Sequence, residues 1–173
     1  MVEDNIAGAV SRVQLKVAIE KDVEPAVEQL SGHMNEQQRS AFRDKLQRYV
    51  RKSDRDLFLA VSGYRILGFL TVIARGHIED PMFAPPPQWM QDYACCTGLL
   101  VHPEFRRQGI GSTLHRRGEQ WAREKGRAGY WLLTHRKADW YRRHFGYHEV
   151  CSLKVKGVKK RIMAKRFPPS GQH

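Results

Sequence analysis

Between residues 12 and 18, Val13, Leu15 and Val17 alternate with polar side chains, the period of a half-buried strand. The period then lengthens. Asp22 precedes Val23, Ala26, Val27 and Leu30, an i, i+3, i+4, i+7 stripe that predicts a helix with Asp22 as its N-cap. Pro25 falls in the first turn, where a missing amide proton costs little, and Gly32 ends the element. Asn35 heads a second helical pattern that turns Phe42, Leu46, Tyr49 and Val50 inward. Two strands, Asp56–Ser62 and Ile66–Ala74, are joined by the hairpin turn Gly63–Tyr64–Arg65. Residues 76–92 hold Pro81, Pro85, Pro86 and Pro87 and predict a loop without regular structure. Its apolar Met82, Phe83, Trp89 and Met90 suit the cover of a pocket, or of a second copy of the chain in a homodimer. Tyr93–Val101 is a strand ended by His102–Pro103, and Ser112–Lys125 is a helix with Leu114, Trp121 and Ala122 inward and Gly126 as its C-cap. Tyr130–Thr134 reads as a buried strand, Lys137–Phe145 as a short helix, and Tyr147–Val155 and Arg161–Phe167 as strands on either side of Gly157. This order predicts an α/β fold built on a mixed sheet.

Composition narrows the class. With 173 residues, 41% hydrophobic and 10% aromatic, the chain suits one domain with a real core, and 28% charged residues exclude a wholly disordered protein. Residues 1–11 read as a flexible leader, 12–167 as the single domain and 168–173 as a tail. Thirty Lys and Arg against eighteen Asp and Glu leave a net charge of +12, which predicts an anionic partner: nucleic acid, an acidic lipid face or a phosphorylated cofactor. Cys95, Cys96 and Cys151 make no disulfide framework, and no Cys/His spacing suits a metal. Glu3 and Asp4 stand where a targeting peptide would be basic, and no apolar run approaches the roughly 18 residues of a membrane span. The expectation is a cytoplasmic protein with no metal and no membrane attachment.

Leu99–Leu114, LLVHPEFRRQGIGSTL, carries the clearest chemistry. A strand runs into Arg106, Arg107, Gln108, Gly109, Ile110, Gly111 and Ser112, and a helix follows at once. Glycines let backbone amides approach a phosphate, and a helix start adds partial positive charge. A P-loop would need a lysine after Gly111, and a dinucleotide fingerprint would need a glycine at Leu114. The surviving pattern is Arg106-x-x-Gly109-x-Gly111 behind Val101-x-Pro103. At these residues the chain resembles the GNAT superfamily of acyl-CoA-dependent N-acyltransferases. A second match lies at Ala138-Asp139-Trp140-Tyr141-Arg142-Arg143-His144-Phe145-Gly146-Tyr147, similar to the family's Ala-x-x-Phe-Tyr-x-x-x-Gly-Phe segment with Trp and Tyr in place of the two Phe. The two segments stand in the family's order, one helix and one strand apart.

That resemblance implies a GNAT-type, mostly antiparallel sheet of about seven strands flanked by about four helices. It implies an N-acetyltransferase with acetyl-CoA as co-substrate and a primary amine as acceptor, joined by direct attack. Arg106, Arg107, Gln108, Gly109, Ile110, Gly111 and Ser112 would hold the coenzyme pyrophosphate, and the main chain of Leu99, Leu100 and Val101 its pantetheine arm. Tyr141 would be the general acid, a phenol near pKa 10 facing a thiolate of about 8.5; the competing reading is a packing tyrosine. No general base stands out. Glu79, Asp80 and Asp92 flank the proline loop, while His102 and His135 follow strands, His135 being the better placed. Cys95 and Cys96 read as inert core.

Leu132–Tyr141 and the basic strand Lys159–Lys165 also resemble the acetyltransferase domain of N-acetylglutamate synthases, which implies a small amino-acid-like amine with a carboxylate held by Arg or Lys. Two other readings compete. In a protein or peptide N-acetyltransferase the Pro81–Met90 loop would shape an extended groove. A non-catalytic basic module would bind CoA or RNA, with Trp140-Tyr141-Arg142-Arg143 stacking bases, although Trp140 and Phe145 look needed inside. The seven Lys and Arg from Ser152 to His173, with no acid among them, suit either a solvated sheet edge or the attraction of an anion.

Overall fold

Strands β1 (Gln14–Val17), β2 (Arg55–Ser62), β3 (Arg65–Ile73), β4 (Tyr93–Val101), β5 (Gly129–Thr134), β6 (His148–Val155) and β7 (Val158–Arg166) build one sheet in the order β1-β2-β3-β4-β5-β7-β6. The structure is a computed structural model that describes residues 12–75 and 87–169. Neighbouring strands are antiparallel except β4 and β5, which run parallel. Helices α1 (Val23–Leu30) and α2 (Glu36–Arg51) cover one face of β2 and β3, while α4 (Ile110–Glu124) and α5 (Ala138–Phe145) cover the other face. The α/β reading and the mixed, mostly antiparallel sheet are thus what the chain forms.

Local chemistry explains the elements. Asn35 Oδ1 accepts from the Gln38 amide at 2.9 Å while Gln38 Oε1 accepts from the Asn35 amide at 3.0 Å, a reciprocal cap that starts α2. Ser62 pairs with Arg65, so the hairpin turn is two residues long, Gly63 and Tyr64, with Gly63 at φ 58°. On the α1/α2 face Leu30, Phe42, Leu46, Leu57, Leu59 and Phe69 form one core. On the α4/α5 face Leu70, Leu114, Trp121, Tyr130, Tyr141, Phe145, Tyr147 and Met163 form another.

Other expectations change. Val17 is 50% exposed because β1 is an edge strand, and Ala18 is the residue that enters the core. Asp22 occupies the N-cap position of α1, but its side chain makes no capping hydrogen bond there. Its carboxylate turns back to accept from the Ile19 amide at 3.0 Å and from Lys16 Nζ at 2.6 Å, closing a 3-10 turn ahead of the helix. Within the predicted loop, Gln88–Gln91 forms a short helix, α3, that buries Met90 against Cys95, Trp131 and Ile162. Proline directly before a helix removes no internal hydrogen bond, which is why Pro87 permits it. Residues 76–86 of that loop, with Glu79, Asp80, Met82 and Phe83, lie outside the described residues, as do 1–11 and 170–173.

β4 positions everything that follows. It pairs with β5 only from Tyr93 to Cys96. At the next residue its register with β3 slips: Cys96 faces Val72 and Gly98 faces Thr71, leaving Thr97 as an extra residue in a bulge. From Thr97 to Val101 the strand keeps β3 on one side and has no partner on the other, while β5 continues along β7. A wedge-shaped gap opens in mid-sheet. Thr97, Gly98, Leu99, Leu100 and Val101 are half-buried although their strand is central.

Candidate active site

Main-chain direction decides which groups line the gap. The His102 amide donates to Leu67 O at 2.8 Å, towards β3. Alternation then aims the N–H and C=O of Leu100 towards β3 and those of Leu99 and Val101 into the gap. Two contacts agree. A Cβ on Gly68 of β3 would lie 2.5 Å from Leu100 O, and Arg106 Nε donates to Val101 O at 3.2 Å from the open side. Of the three strand residues singled out, Leu99 and Val101 present backbone to the gap and Leu100 is occupied with β3.

Beyond Val101 the chain makes one 3-10 turn, Pro103–Phe105, pinned by buried Phe105 under the Arg65 guanidinium, which lies 4.6 Å from the ring centroid. Arg107 at φ 64° and Gly109 at φ 81° then fold the loop tightly back. The first internal bond of α4 runs from Thr113 N to Gly109 O, 3.0 Å, so the amides of Gly109, Ile110, Gly111 and Ser112 have no helical acceptor. Buried Ile110 anchors the helix start, while Arg106, Arg107 and Gln108 stand in solvent. Gly109 is required by its backbone angle. A Cβ at Gly111 would meet Val101 Cγ2 at 3.5 Å, an ordinary contact. The result is a ring of N–H donors with no partner among the described residues, at a helix N-terminus with two guanidinium groups beside it, at the mouth of the gap.

On the α4 side the gap is backed by α5. Thr134 Oγ1 accepts from the Lys137 amide at 3.1 Å, which turns the chain from β5 into α5, and Gly146 at φ 71° ends that helix. Tyr141 is buried, its ring centroid 5.1 Å from that of His115, 4.8 Å from that of Trp140 and 5.8 Å from that of Tyr147. Among the described residues its hydroxyl makes no hydrogen bond, whereas those of Tyr49 and Tyr147 are bonded. Burial, with the Cys96 thiol adding to it, pushes the phenol well above its ordinary value of 10.0. The group therefore holds its proton at neutral pH, more tightly than the free side chain would.

Beneath Tyr141 lies a polar network that periodicity did not reveal. The Tyr147 hydroxyl donates to Glu119 Oε1 at 2.9 Å, and Lys165 Nζ donates to both Glu119 oxygens at 3.1 and 3.0 Å. Tyr147 gives its single proton to Glu119, so it accepts from His115 Nε2 at 3.0 Å. Burial alone would raise the Glu119 carboxyl, but the bonds and charges of His115, Lys165 and Tyr147 overcome that and hold it down at about 2. Burial lowers His115 below 6.5. The available signal was the i, i+4 spacing of His115 and Glu119, which on a helix reads first as a solvent face.

On the α2 side, Lys45 Nζ donates to Thr97 O at 3.0 Å, and the Tyr49 hydroxyl bonds Thr97 Oγ1. Thr97 Oγ1 in turn lies 3.0 Å from Thr71 Oγ1. Burial pushes Tyr49 up to about 12.

Among the described residues, no hydrogen bond joins the side chain of Asp92, His102 or His135 to these groups. Asp92 precedes β4 at the end remote from the gap. His102 Nδ1 accepts from the Glu104 amide at 3.4 Å, and exposed His135 donates from Nδ1 to Lys159 O at 2.8 Å. Cys95 is fully buried with its pKa well above the usual thiol value, and burial pushes Cys96 up to about 11, which suits neither to nucleophilic attack. Among the described residues no group of His, Cys, Asp and Glu could hold a metal ion, and no helix is long and apolar enough to cross a membrane.

The sequence pattern of the acetyltransferase (GNAT) family matches residues 23–147. No curated protein sequence matches the chain significantly. Among solved structures, the PaiA N-acetyltransferase of Thermoplasma acidophilum in complex with coenzyme A is similar at TM-score 0.62 and 18% identity, over 90% of this chain and 99% of that one. The ribosomal-protein-S18-alanine N-acetyltransferase of Escherichia coli is similar at TM-score 0.66 and 14% identity, over 94% and 99%. An acetyltransferase of the GNAT family from Staphylococcus aureus gives TM-score 0.64 and 14% identity, over 90% and 99%. At these identities the structures share the fold.

Proposed function

Because this chain belongs to the acetyltransferase (GNAT) family, with acetyl-CoA as its acyl donor, we propose that it acetylates a small, amino-acid-like primary amine by direct attack. The observation that carries this is the gap itself, where backbone of Leu99 and Val101 that no strand pairs runs from the amide ring at Gly109–Ser112 towards the Tyr141 side of the sheet. In this reading Arg106, Arg107, Gln108, Gly109, Ile110, Gly111 and Ser112 surround the diphosphate, mostly through main-chain N–H. The pantetheine amides complete the strand edge that β5 leaves open. Leu99 and Val101 supply those bonds, and Leu100 supports the strand from the β3 side.

The chemistry then follows from position. The neutral amine lone pair forms a C–N bond at the thioester carbon while negative charge collects on the carbonyl oxygen, which a backbone N–H of the strand edge stabilises. Collapse breaks the C–S bond. The sulfur leaves with the bonding pair and takes the Tyr141 proton, the surplus proton on nitrogen passes to water, and water reprotonates the tyrosinate. Raising the phenol makes donation harder. The same dry surroundings raise the departing thiolate as well, which offsets part of that cost.

Acetyl-CoA at micromolar concentration is expected to raise the melting temperature, and a panel of amines should show acetyl-CoA-dependent release of free thiol. A protein that acetyl-CoA leaves unshifted does not use this cradle. The fold shared with the ribosomal-protein-S18-alanine N-acetyltransferase favours a second reading, acetylation of a protein N-terminus. Short peptides with free N-termini in the same panel separate the two.

A further inference from the structure

We propose that Lys45 anchors a carboxylate on the acceptor, so that the substrates are small amines carrying one negative charge a few atoms from the nitrogen. This rests on the acetyl-transfer reading and adds a substrate class and a specificity-determining residue to it.

The position of Lys45 is the first observation. Its ammonium donates to the carbonyl of Thr97, the bulged residue at which β4 leaves β5. The next strand residue is Gly98, where a Cβ would lie 2.8 Å from Nζ, so the cation rests directly on the strand. Cys96, one residue before the bulge, lies within electrostatic reach of both Lys45 and Tyr141. Lys45 approaches this point from α2, on one face of the sheet, and Tyr141 from α5 on the other. A donor held by the α4 loop and protonated by Tyr141 occupies the α4 side of the gap. The acceptor must then reach the thioester from the α2 side, where it meets Lys45.

The second observation is missing counter-charge. An ammonium has three donors. One serves Thr97 O, and the Tyr49 ring lies 5.9 Å from Nζ. Among the described residues no carboxylate pairs with Lys45, and the nearby charge of Arg48 is of the same sign. Burial disfavours this charged group, lowering its pKa. Supporting a bulge carbonyl needs a single neutral donor, which would avoid that desolvation. The hydroxyls of Tyr49, Thr97 and Thr71 already bond one another there. A fixed, partly dehydrated cation with unused donors at the acceptor entrance fits a carboxylate by charge and by hydrogen bonding.

The test compares matched amines, glycine with glycinamide and β-alanine with β-alaninamide, in acetyl-CoA-dependent thiol release by the wild-type chain, Lys45→Met and Lys45→Gln. The wild type should favour the carboxylate member, and Lys45→Met should lower kcat/KM for that member about 10- to 100-fold, the worth of a charge-assisted hydrogen bond. The amide member and the acetyl-CoA melting shift should hardly change. Comparing ratios between variants cancels the different basicities of the amines. Lys45→Gln keeps a donor for Thr97 O and covers the case in which the methionine variant folds poorly. Equal losses for both members in either variant would reduce Lys45 to a support of the strand. Wild-type chain that turns over no carboxylate amine, or shows no preference for one, overturns the proposal. Absence of the acetyl-CoA shift in the wild type strikes the donor reading instead.

Discussion

Tyr141 is buried among aromatic rings, and its burial separates two effects that substitution can resolve. Removing the oxygen in Tyr141→Phe leaves the rings of His115, Trp140 and Tyr147 with the same packing partner. Turnover should fall by about 100-fold, the usual contribution of a positioned proton donor, while the acetyl-CoA-induced melting shift stays within error. Unchanged turnover would leave Tyr141 as a packing residue. Glu119 makes a different prediction. Its folded pKa of about 2 lies below the ordinary 4.5, so the stability it contributes is complete above 4.5 and is lost as pH falls towards 2. His115, also lowered, adds a loss that begins below 6.5. Glu119→Gln should cost about 2 kcal/mol at neutral pH and flatten the limb between pH 4.5 and 2 in a melting series. A limb of unchanged slope would contradict this assignment. The place of Tyr141 on α5 was legible because a short motif fixes it. Lys45 and the His115–Glu119 pair were not, since their partners Thr97, Tyr147 and Lys165 lie 52, 32 or 28, and 46 residues away.

At the scale of elements, α4 does two jobs, offering unpaired amides at its start and packing flat on the sheet along its middle. Flat packing depends on Gly118, where a Cβ would stand 2.4 Å from the Tyr130 hydroxyl and 2.9 Å from Leu70 Cδ2. Gly118→Ala should lower stability by about 2 kcal/mol, which for a chain of this size is a drop of roughly 4–8 °C in Tm; a smaller drop would mean that Tyr130 swings aside freely. Gly109→Ala has open space for its methyl group but keeps φ near 81°. It should weaken acetyl-CoA binding through loop distortion with about 1 kcal/mol of strain, read by titration of the melting shift. The start of α4 at Ile110, two residues ahead of the expected Ser112 and four ahead of Leu114, shows why periodicity alone misplaced it. A helix begins where backbone angles allow, and Gly109 supplies that angle before the first buried leucine.

Across the molecule, a net charge of +12 attracts anions of every kind, and salt separates the specific from the general. Long-range attraction is screened within about 8 Å at physiological ionic strength, whereas hydrogen bonds from a ring of amides persist. Raising salt from 50 to 500 mM should weaken acetyl-CoA binding by less than about tenfold and abolish binding of a nonspecific oligonucleotide. Comparable salt slopes for both ligands would favour the basic-module reading.

Sequence by itself determined the longer elements, their order and the two segments of the family pattern, because each depends on residues within a few positions of one another. Alternation marks strands, a 3.6-residue stripe marks helices, and glycines at 109 and 146 mark two bends with positive φ. Tertiary structure alone decided where β4 leaves β5, which of Leu99, Leu100 and Val101 turn backbone to the gap, and that Lys45 lands on the bulge. These are relations between strands and helices far apart in the chain. Strand register and helix placement are set by the packing of both sheet faces at once, a condition that no local window of residues contains.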